Sequence, residues 1–174
     1  MRTIKFFFFF LFFISLDVSG QGLMFNGMEN SIDERTSYNV FKTRQPEFRD
    51  VLRIEFSLSM YLPSDFGYVL RIKNNEDDRI FNILYSGRSW DSTCPFRLNE
   101  EGKSTILKAD FPHDYIEMGK WMQVSLEFAM AEGRVRLQVD DYEYETSISP
   151  MSTTWRPEIT FGKSDYMIDV PSMA

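Results

Sequence analysis

Apolar and polar residues alternate along much of the chain after residue 50. The clearest case runs over residues 52–62, where apolar residues occupy every second position and polar residues fill most of the positions between them. Because successive side chains of a β-strand point to opposite faces, this alternation predicts a strand with one buried face. This alternation predicts that Phe56 lies in the core. The alternation over residues 122–128 predicts the same for Leu126. Shorter alternating segments occur at 68–72, 81–85, 122–128, 135–139, 142–144 and 159–161.

Turn-forming residues separate the predicted strands. They concentrate at 63–67, 74–78, 99–103 and 131–133. Gly, Asn, Asp and Pro suit the backbone angles of tight turns. Several strands at this spacing, with no long helical period, predict an all-β domain built as an antiparallel sandwich or barrel.

The first 20 residues have a different character. Basic residues near the start precede an apolar run over residues 6–16, and small residues follow at 18–20. This order is typical of a secretory signal peptide, and the run is shorter than the ~20 residues that span a bilayer. We therefore predict a signal peptide over residues 1–20, cleaved after Gly20. Residues 21–174 are predicted to form one exported domain without membrane insertion, in the periplasm, at the cell surface or outside the cell.

Charge and cysteine content limit the partners and the means of stabilisation. The chain has a formal net charge of −7 and no run of Lys or Arg in its sequence. An acidic chain of this kind disfavours nucleic acid and anionic membrane surfaces as partners. Cys94 is the only cysteine, so an internal disulfide is impossible and stability must come from packing.

Two consecutive segments resemble a known family. Residues 119–128 read G-K-W-M-Q-V-S-L-E-F, and residues 133–141 read G-R-V-R-L-Q-V-D-D. They resemble the paired strands of laminin-G-like and concanavalin A-like lectin/glucanase domains, although Asp141 stands where those domains commonly have Gly. The resemblance covers about residues 22–174. It implies an antiparallel two-sheet jelly-roll sandwich.

The end of the chain bears on the last strand of that sandwich. Residues 169–173 resemble the approach to the family's final strand, but the sequence ends at Ala174 without another alternating segment. We therefore expect a sandwich lacking its last strand, or a product that continues with that strand and a further module. A narrower likeness, over residues 32–41 and 170–174, is to an N-terminal lectin-like domain of exported Bacteroidetes proteins.

Aromatic residues in predicted loops are the candidate ligand contacts. Sugar sites combine exposed rings with a few placed polar groups. Trp90 lies in a loop-like stretch with Arg88 and Asp91, and Trp155 lies in a second predicted loop. These four residues form the predicted binding site. Trp121 begins a predicted strand, and we expect it to pack structurally, as most aromatic residues do.

The sequence contains no recognisable catalytic centre. Asp141, Glu143 and Glu145 have the alternate spacing of glucanase carboxylates. The tyrosines between them are, however, predicted to face the core, which directs the acids to solvent. Cys94 and His113 are each unique, and no protease signature surrounds the cysteine. We therefore predict that the protein is not an enzyme.

Calcium is the one cofactor that the resemblance leaves open. Laminin-G-like domains often hold it on loop carboxylates. Asp77, Asp78, Asp140 and Asp141 are the available acids, and Asp140 and Asp141 are the calcium candidates. Neither lies in a loop of repeated oxygen ligands. No His and Cys cluster suggests another metal, so no other cofactor is expected.

Three functions compete at this point. The favoured prediction is an exported, non-catalytic module that binds carbohydrate, with a glycan or an envelope protein as partner. The alternative is an accessory protein-interaction domain that precedes a missing downstream module. The third is a glycoside hydrolase. Fold alone cannot choose between them, because one fold hosts many functions.

Overall fold

The chain folds into antiparallel β-strands with a short 3₁₀ turn at His113–Tyr115. This computed structural model describes residues 23–25, 37–60, 66–86, 95–103, 105–111 and 113–162. The strands within those residues are β1 (Ser37–Asn39), β2 (Phe48–Arg49), β3 (Val51–Ser59), β4 (Phe66–Asn74), β5 (Ile80–Ser86), β6 (Phe96–Glu100), β7 (Thr105–Ala109), β8 (Trp121–Ala129), β9 (Arg134–Val139), β10 (Tyr142–Ser147), β11 (Thr154–Trp155) and β12 (Pro157–Gly162).

Two sheets form the two layers of the sandwich. One has six strands in the order β1-β12-β4-β5-β6-β7, and the other has four in the order β10-β9-β8-β3. A small third pair joins β11 to β2. All of these pairings are antiparallel. The predicted two-sheet antiparallel sandwich is therefore confirmed.

The core lies between the inner faces of the two sheets. The ring centroids of Phe81 on β5 and Phe128 on β8 are 4.8 Å apart, which joins the layers directly. Leu126 is fully buried in this cluster, as predicted. Phe56 is half-buried and packs edge-on against Phe161, with 5.0 Å between the ring centroids. Both side chains lie on the predicted face.

The burial of two tryptophans is the reverse of that predicted. Trp155 is fully buried on β11, where its backbone pairs with Phe48. Its indole stacks on Phe81 at 5.7 Å, so the prediction of a loop residue that contacts ligand is wrong. Pairing of this two-residue strand turns the ring inward. Trp121, expected to pack structurally, is 53% exposed.

Several sequence predictions lie outside the described residues. They are the signal peptide over residues 1–20, the approach to a last strand at 169–173, and the loop with Arg88, Trp90 and Asp91. Within the residues that are described, no helix is long and apolar enough to cross a membrane.

Candidate functional site

The six-stranded sheet carries polar side chains on the face turned away from the core. On β4, Leu70 and Ile72 belong to the core cluster, so Arg71 and Lys73 point the other way. The same alternation directs outward side chains from the other strands. A bulge between β6 and β7 also brings Thr105 opposite Asn99. We call this surface the polar face, and its members are Asn39, Tyr68, Arg71, Lys73, Ile80, Asn82, Leu84, Arg97, Asn99, Thr105, Lys108, Glu158 and Thr160.

A β-bulge brings an aromatic ring to the polar face. The sequence pattern placed Tyr68 on the same face as Leu70. In the structure the register between β4 and β5 shifts between these two residues, so that Tyr68 pairs with Leu84 and Leu70 pairs with Ile83. Residues directly opposite each other share a face. Because Leu84 points outward, half-buried Tyr68 does too.

One row of polar residues crosses the whole polar face. Cross-strand pairing aligns a residue from each of the six strands, in the order Asn39, Thr160, Arg71, Asn82, Asn99 and Thr105. Neighbouring strands lie about 4.8 Å apart, so the row extends over roughly 24 Å. That length suits an extended ligand better than a single small molecule.

The centre of this row is buried although it faces outward. Arg71 is 6% exposed and Asn82 is 7% exposed. In the described part of the chain no hydrogen-bond donor reaches Oδ1 of Asn82 or of Asn99. An unpaired buried acceptor costs about 1–3 kcal/mol, so such groups call for a specific explanation. Both oxygens are shielded from solvent in this structure, so a ligand could contact them only if neighbouring side chains moved.

The polar face is also rich in cations. Arg71, Lys73, Arg97 and Lys108 come from three different strands and meet on it only through folding. Three described acids lie beside them: Glu101, whose carboxylate is 3.8 Å from Arg71, Asp78, whose carboxylate is 3.9 Å from Lys73, and Glu158, which is opposite Lys73 on the next strand. Among the described residues, the polar face thus has four cations beside three acids, in a chain whose net charge is −7.

The sequence-based site and the polar face share no residue. Trp155 is in the core, and Arg88, Trp90 and Asp91 lie outside the described residues. Sequence reasoning missed Asn82, Asn99 and the four cations. One signal was present: Asn82 is the only polar residue inside the run I-F-N-I-L-Y.

The acids at alternate positions on and before β10 lie at the solvent-facing surface, as predicted. Glu143 and Glu145 form ion pairs with Arg136 at 3.3 and 3.0 Å. The hydrogen bond to Glu145 and the charge of Glu143 raise the pKa of Arg136. Tyr142, between the acids, stacks on Phe111 with 5.2 Å between the ring centroids. This arrangement is a solvated ion-pair ladder.

Asp140, a predicted calcium ligand, uses both carboxylate oxygens within the protein. Oδ1 accepts the backbone N–H of Gln123 at 2.7 Å, and Oδ2 accepts the hydroxyl of Tyr115 at 2.6 Å. Asp141 is exposed beside it. Within the described ranges, no three metal-ligating side chains cluster together. Calcium binding at these two residues stays a prediction.

The bond between Tyr115 and Asp140 predicts a measurable titration. That hydrogen bond, together with burial and the charge of Asp140, raises the pKa of Tyr115 to about 12. We expect the ¹³Cζ resonance of Tyr115 to titrate near that pH, and to titrate lower in Asp140→Asn. Asp141→Asn is the control, because Asp141 exerts only a minor charge effect. Equal shifts in the two variants would contradict the assigned bond.

Comparison with known proteins confirms the fold. No protein-family model and no curated sequence matches the chain. The native heptameric SAP-like pentraxin from Limulus polyphemus is similar in structure, with a TM-score of 0.59 and 14% identity, over 86% of this chain and 70% of that one. An alginate lyase, AlgAT5 of Polysaccharide Lyase family 7, has a TM-score of 0.49 and 11% identity, over 80% of this chain and 63% of the lyase.

Mouse laminin α1 domains LG4-5 also have a TM-score of 0.49, with 13% identity over 76% of this chain and 38% of that one. The chain thus spans less than two thirds of the lyase and laminin chains. The narrower likeness to exported Bacteroidetes proteins stays a prediction. At these identities the similarity concerns the fold, and the chain has the concanavalin A-like jelly-roll fold that the sequence predicted.

Proposed function

We propose that the polar face binds carbohydrate and that the protein is an exported, non-catalytic binding module. The observation that carries the proposal is the row of polar residues that cross-strand pairing aligns over six strands, with the amide groups of Asn82 and Asn99 at its centre. Sugar hydroxyls are donors as well as acceptors, so a row of amide, hydroxyl and guanidinium groups matches them. Tyr68 adds a ring close to the row, against which the apolar side of a sugar can pack.

A glycan suits this surface better than a protein partner does. Protein interfaces are centred on buried aromatic and aliphatic anchors. The described hydrophobic residues with large exposed surfaces are Leu23, Met24, Tyr38, Val40, Val51, Met118 and Trp121. None of them is a member of the polar face. Protein binding is the second candidate function, and it would have to use other surfaces of the molecule.

The placement of acids supports a binding role over hydrolysis. Glu158 and Glu101 lie at the two ends of one cross-strand row, which runs through Lys73 and Ile80. Three strand spacings separate their backbones by about 14 Å. Glycosidases need two carboxyl groups within about 5–9.5 Å of each other. A backbone separation of this size disfavours Glu101 and Glu158 as a hydrolytic pair.

The charges favour a glycan with carboxylate or sulfate groups. Arginine binds such groups through two parallel hydrogen bonds, and lysine adds attraction as a point charge. We expect the polar face to prefer acidic polysaccharides, with affinity that falls as salt increases. This preference would draw on the four cations of the polar face, in a chain that is acidic as a whole.

Affinity electrophoresis of residues 21–174 tests this function. Gels would contain alginate, polygalacturonate, chondroitin sulfate, xylan or mannan. We expect at least one acidic polysaccharide to retard the protein. Asn82→Ala and Arg97→Ala should each weaken that binding by about tenfold, equal to roughly 1.4 kcal/mol.

The matched control is Arg53→Ala. Arg53 is an exposed arginine on β3, in the other sheet, where it pairs with Glu55 at 3.2 Å. We expect this variant to bind as the wild type does. The proposal fails if none of these polysaccharides retards the protein, or if Arg53→Ala weakens binding as much as Arg97→Ala.

A further inference from the structure

Trp121 exposes a large aromatic ring on the opposite side of the sandwich. It begins β8 and pairs with Ser59 of β3, on the face of the four-stranded sheet turned away from the core. Its exposed fraction is 53%, whereas Met122, the next residue, is fully buried. Because this indole is largely exposed, packing in the core does not explain why a tryptophan occupies the position.

A recess opens along the same face of β8. Its volume is about 280 Å³, and its polar lining consists of Glu55, Gln123, Ser125, Gln138 and Asp140. Trp121 and Gln123 are two residues apart on one strand, so their side chains share a face at a spacing of about 7 Å. The indole is outside the lining of the recess and lies next to Gln123, at the end of the recess nearer the start of β8.

The lining alternates hydrogen-bond donors and acceptors. Oε1 of Gln123 accepts the hydroxyl of Ser57 at 3.0 Å, which leaves its Nε2 group as a donor. Nε2 of Gln138 donates to the backbone carbonyl of Asp140 at 2.8 Å, which leaves its Oε1 as an acceptor. Glu55 and Ser125 contribute a carboxylate and a hydroxyl on the same row. Neighbouring hydroxyl groups of a sugar both donate and accept hydrogen bonds, so they need donors and acceptors side by side.

The charge of the recess restricts the sugar. Glu55 and Asp140 are the charged residues of its lining, and no lining residue is cationic. A sugar carboxylate or sulfate would be repelled here, in contrast to the polar face. The recess thus suits an uncharged ring with free hydroxyls, one of whose C–H faces can stack on an indole.

We propose that Trp121 and this recess form a second carbohydrate site, which binds a neutral pyranose. The ring of the sugar stacks on Trp121, while its hydroxyls bond to Gln123, Gln138 and Glu55. This site lies on the other sheet from the polar face and does not depend on it. Two sites with opposite charge preference would let one domain contact two different polysaccharides.

Titration with neutral hexasaccharides tests the second site. The probes are the hexamers of β-1,4-linked glucose, xylose, mannose and N-acetylglucosamine, each added to about 10 mM, since single sugar sites bind weakly. Calorimetry and tryptophan fluorescence would follow binding. We expect at least one probe to bind with an affinity that salt does not change. Trp121→Ala and Gln123→Ala should each weaken it about tenfold or more, and Trp121→Tyr should retain most of it.

Met118→Ala is the matched control. Met118 is 65% exposed just before β8, so its removal changes a nearby apolar surface without touching the recess. We expect it to leave binding unchanged, and circular dichroism to show all four variants folded. The inference is overturned if no hexamer binds, if Trp121→Ala binds as well as wild type, or if Trp121 serves instead to join two copies. Sedimentation would reveal the last case as self-association that Trp121→Ala removes.

Discussion

Replacing Trp155 by alanine is expected to lower the free energy of unfolding by about 3–5 kcal/mol. The indole is fully buried and lies between Phe81, at 5.7 Å, and Phe128, at 5.2 Å. Removing it leaves a cavity among rings contributed by both sheets, which cannot close without moving the strands. Urea unfolding measures the effect as a lower midpoint with an unchanged slope.

Two further variants separate burial from ring chemistry. Nε1 of Trp155 is buried, and no acceptor reaches it within the described residues. Trp155→Phe removes that unpaired donor and keeps a ring, so we expect a clearly smaller loss than for alanine. Trp121→Ala, at the exposed tryptophan, should change stability by at most about 0.5 kcal/mol. If Trp121→Ala costs more than Trp155→Ala, the two indoles have been misplaced.

Glu100 is expected to produce the second large effect. Its side chain is 5% exposed, and Arg79 holds it with two hydrogen bonds, at 2.7 and 2.9 Å. Arg79 also donates to the carbonyl of Ser149 at 2.9 Å, which ties the β4–β5 turn to the segment before β11. Glu100→Ala leaves a largely buried guanidinium without its partner. We expect a loss of about 3 kcal/mol in urea unfolding. Glu101→Ala, at the exposed neighbour, should cost less than about 1 kcal/mol.

The same carboxylate predicts a pH dependence of stability. Burial raises the pKa of Glu100, but hydrogen bonds from Arg79 and Lys103 outweigh burial and hold the pKa below its usual 4.5. A carboxyl group with a lowered pKa in the folded state stabilises the protein above its unfolded pKa. That stabilisation disappears as pH falls through the folded value. We expect Glu100→Gln to be less stable than wild type at neutral pH, and the difference to shrink below pH 4.5. A difference independent of pH would contradict this account.

The sequence predicted those strands that have one buried face and one face exposed to solvent. β3, β8 and β9 alternate regularly, and hydrophobic burial alone determines which side of each faces inward. β6 and β7 were missed, since five-residue strands with bulges give a weak signal and Asn99 suggested a turn. A residue such as Asn99, which favours turns, can also lie near the end of a short strand.

The candidate site could not be predicted because it depends on contacts between distant segments. The cations of the polar face are separated by up to 37 positions, from Arg71 to Lys108, and alone each reads as an ordinary outward residue. Cross-strand register brings Arg71, Asn82 and Asn99 into one row. Tyr68 reaches the surface through a bulge that alternation does not reveal. The exposure of Trp121 likewise depends on what covers the end of β8, which the sequence does not state.

The most direct test of glycan binding at the polar face is to locate the ligand by NMR. The amide spectrum of isotope-labelled protein would be recorded during titration with oligomers of the acidic polysaccharide that retards it most. We predict that the largest shifts occur at outward residues of β4, β5 and β6, with Asn82 and Asn99 among them. Shifts confined to the four-stranded sheet, or to residues far from both Asn82 and Asn99, would contradict a binding site on the polar face.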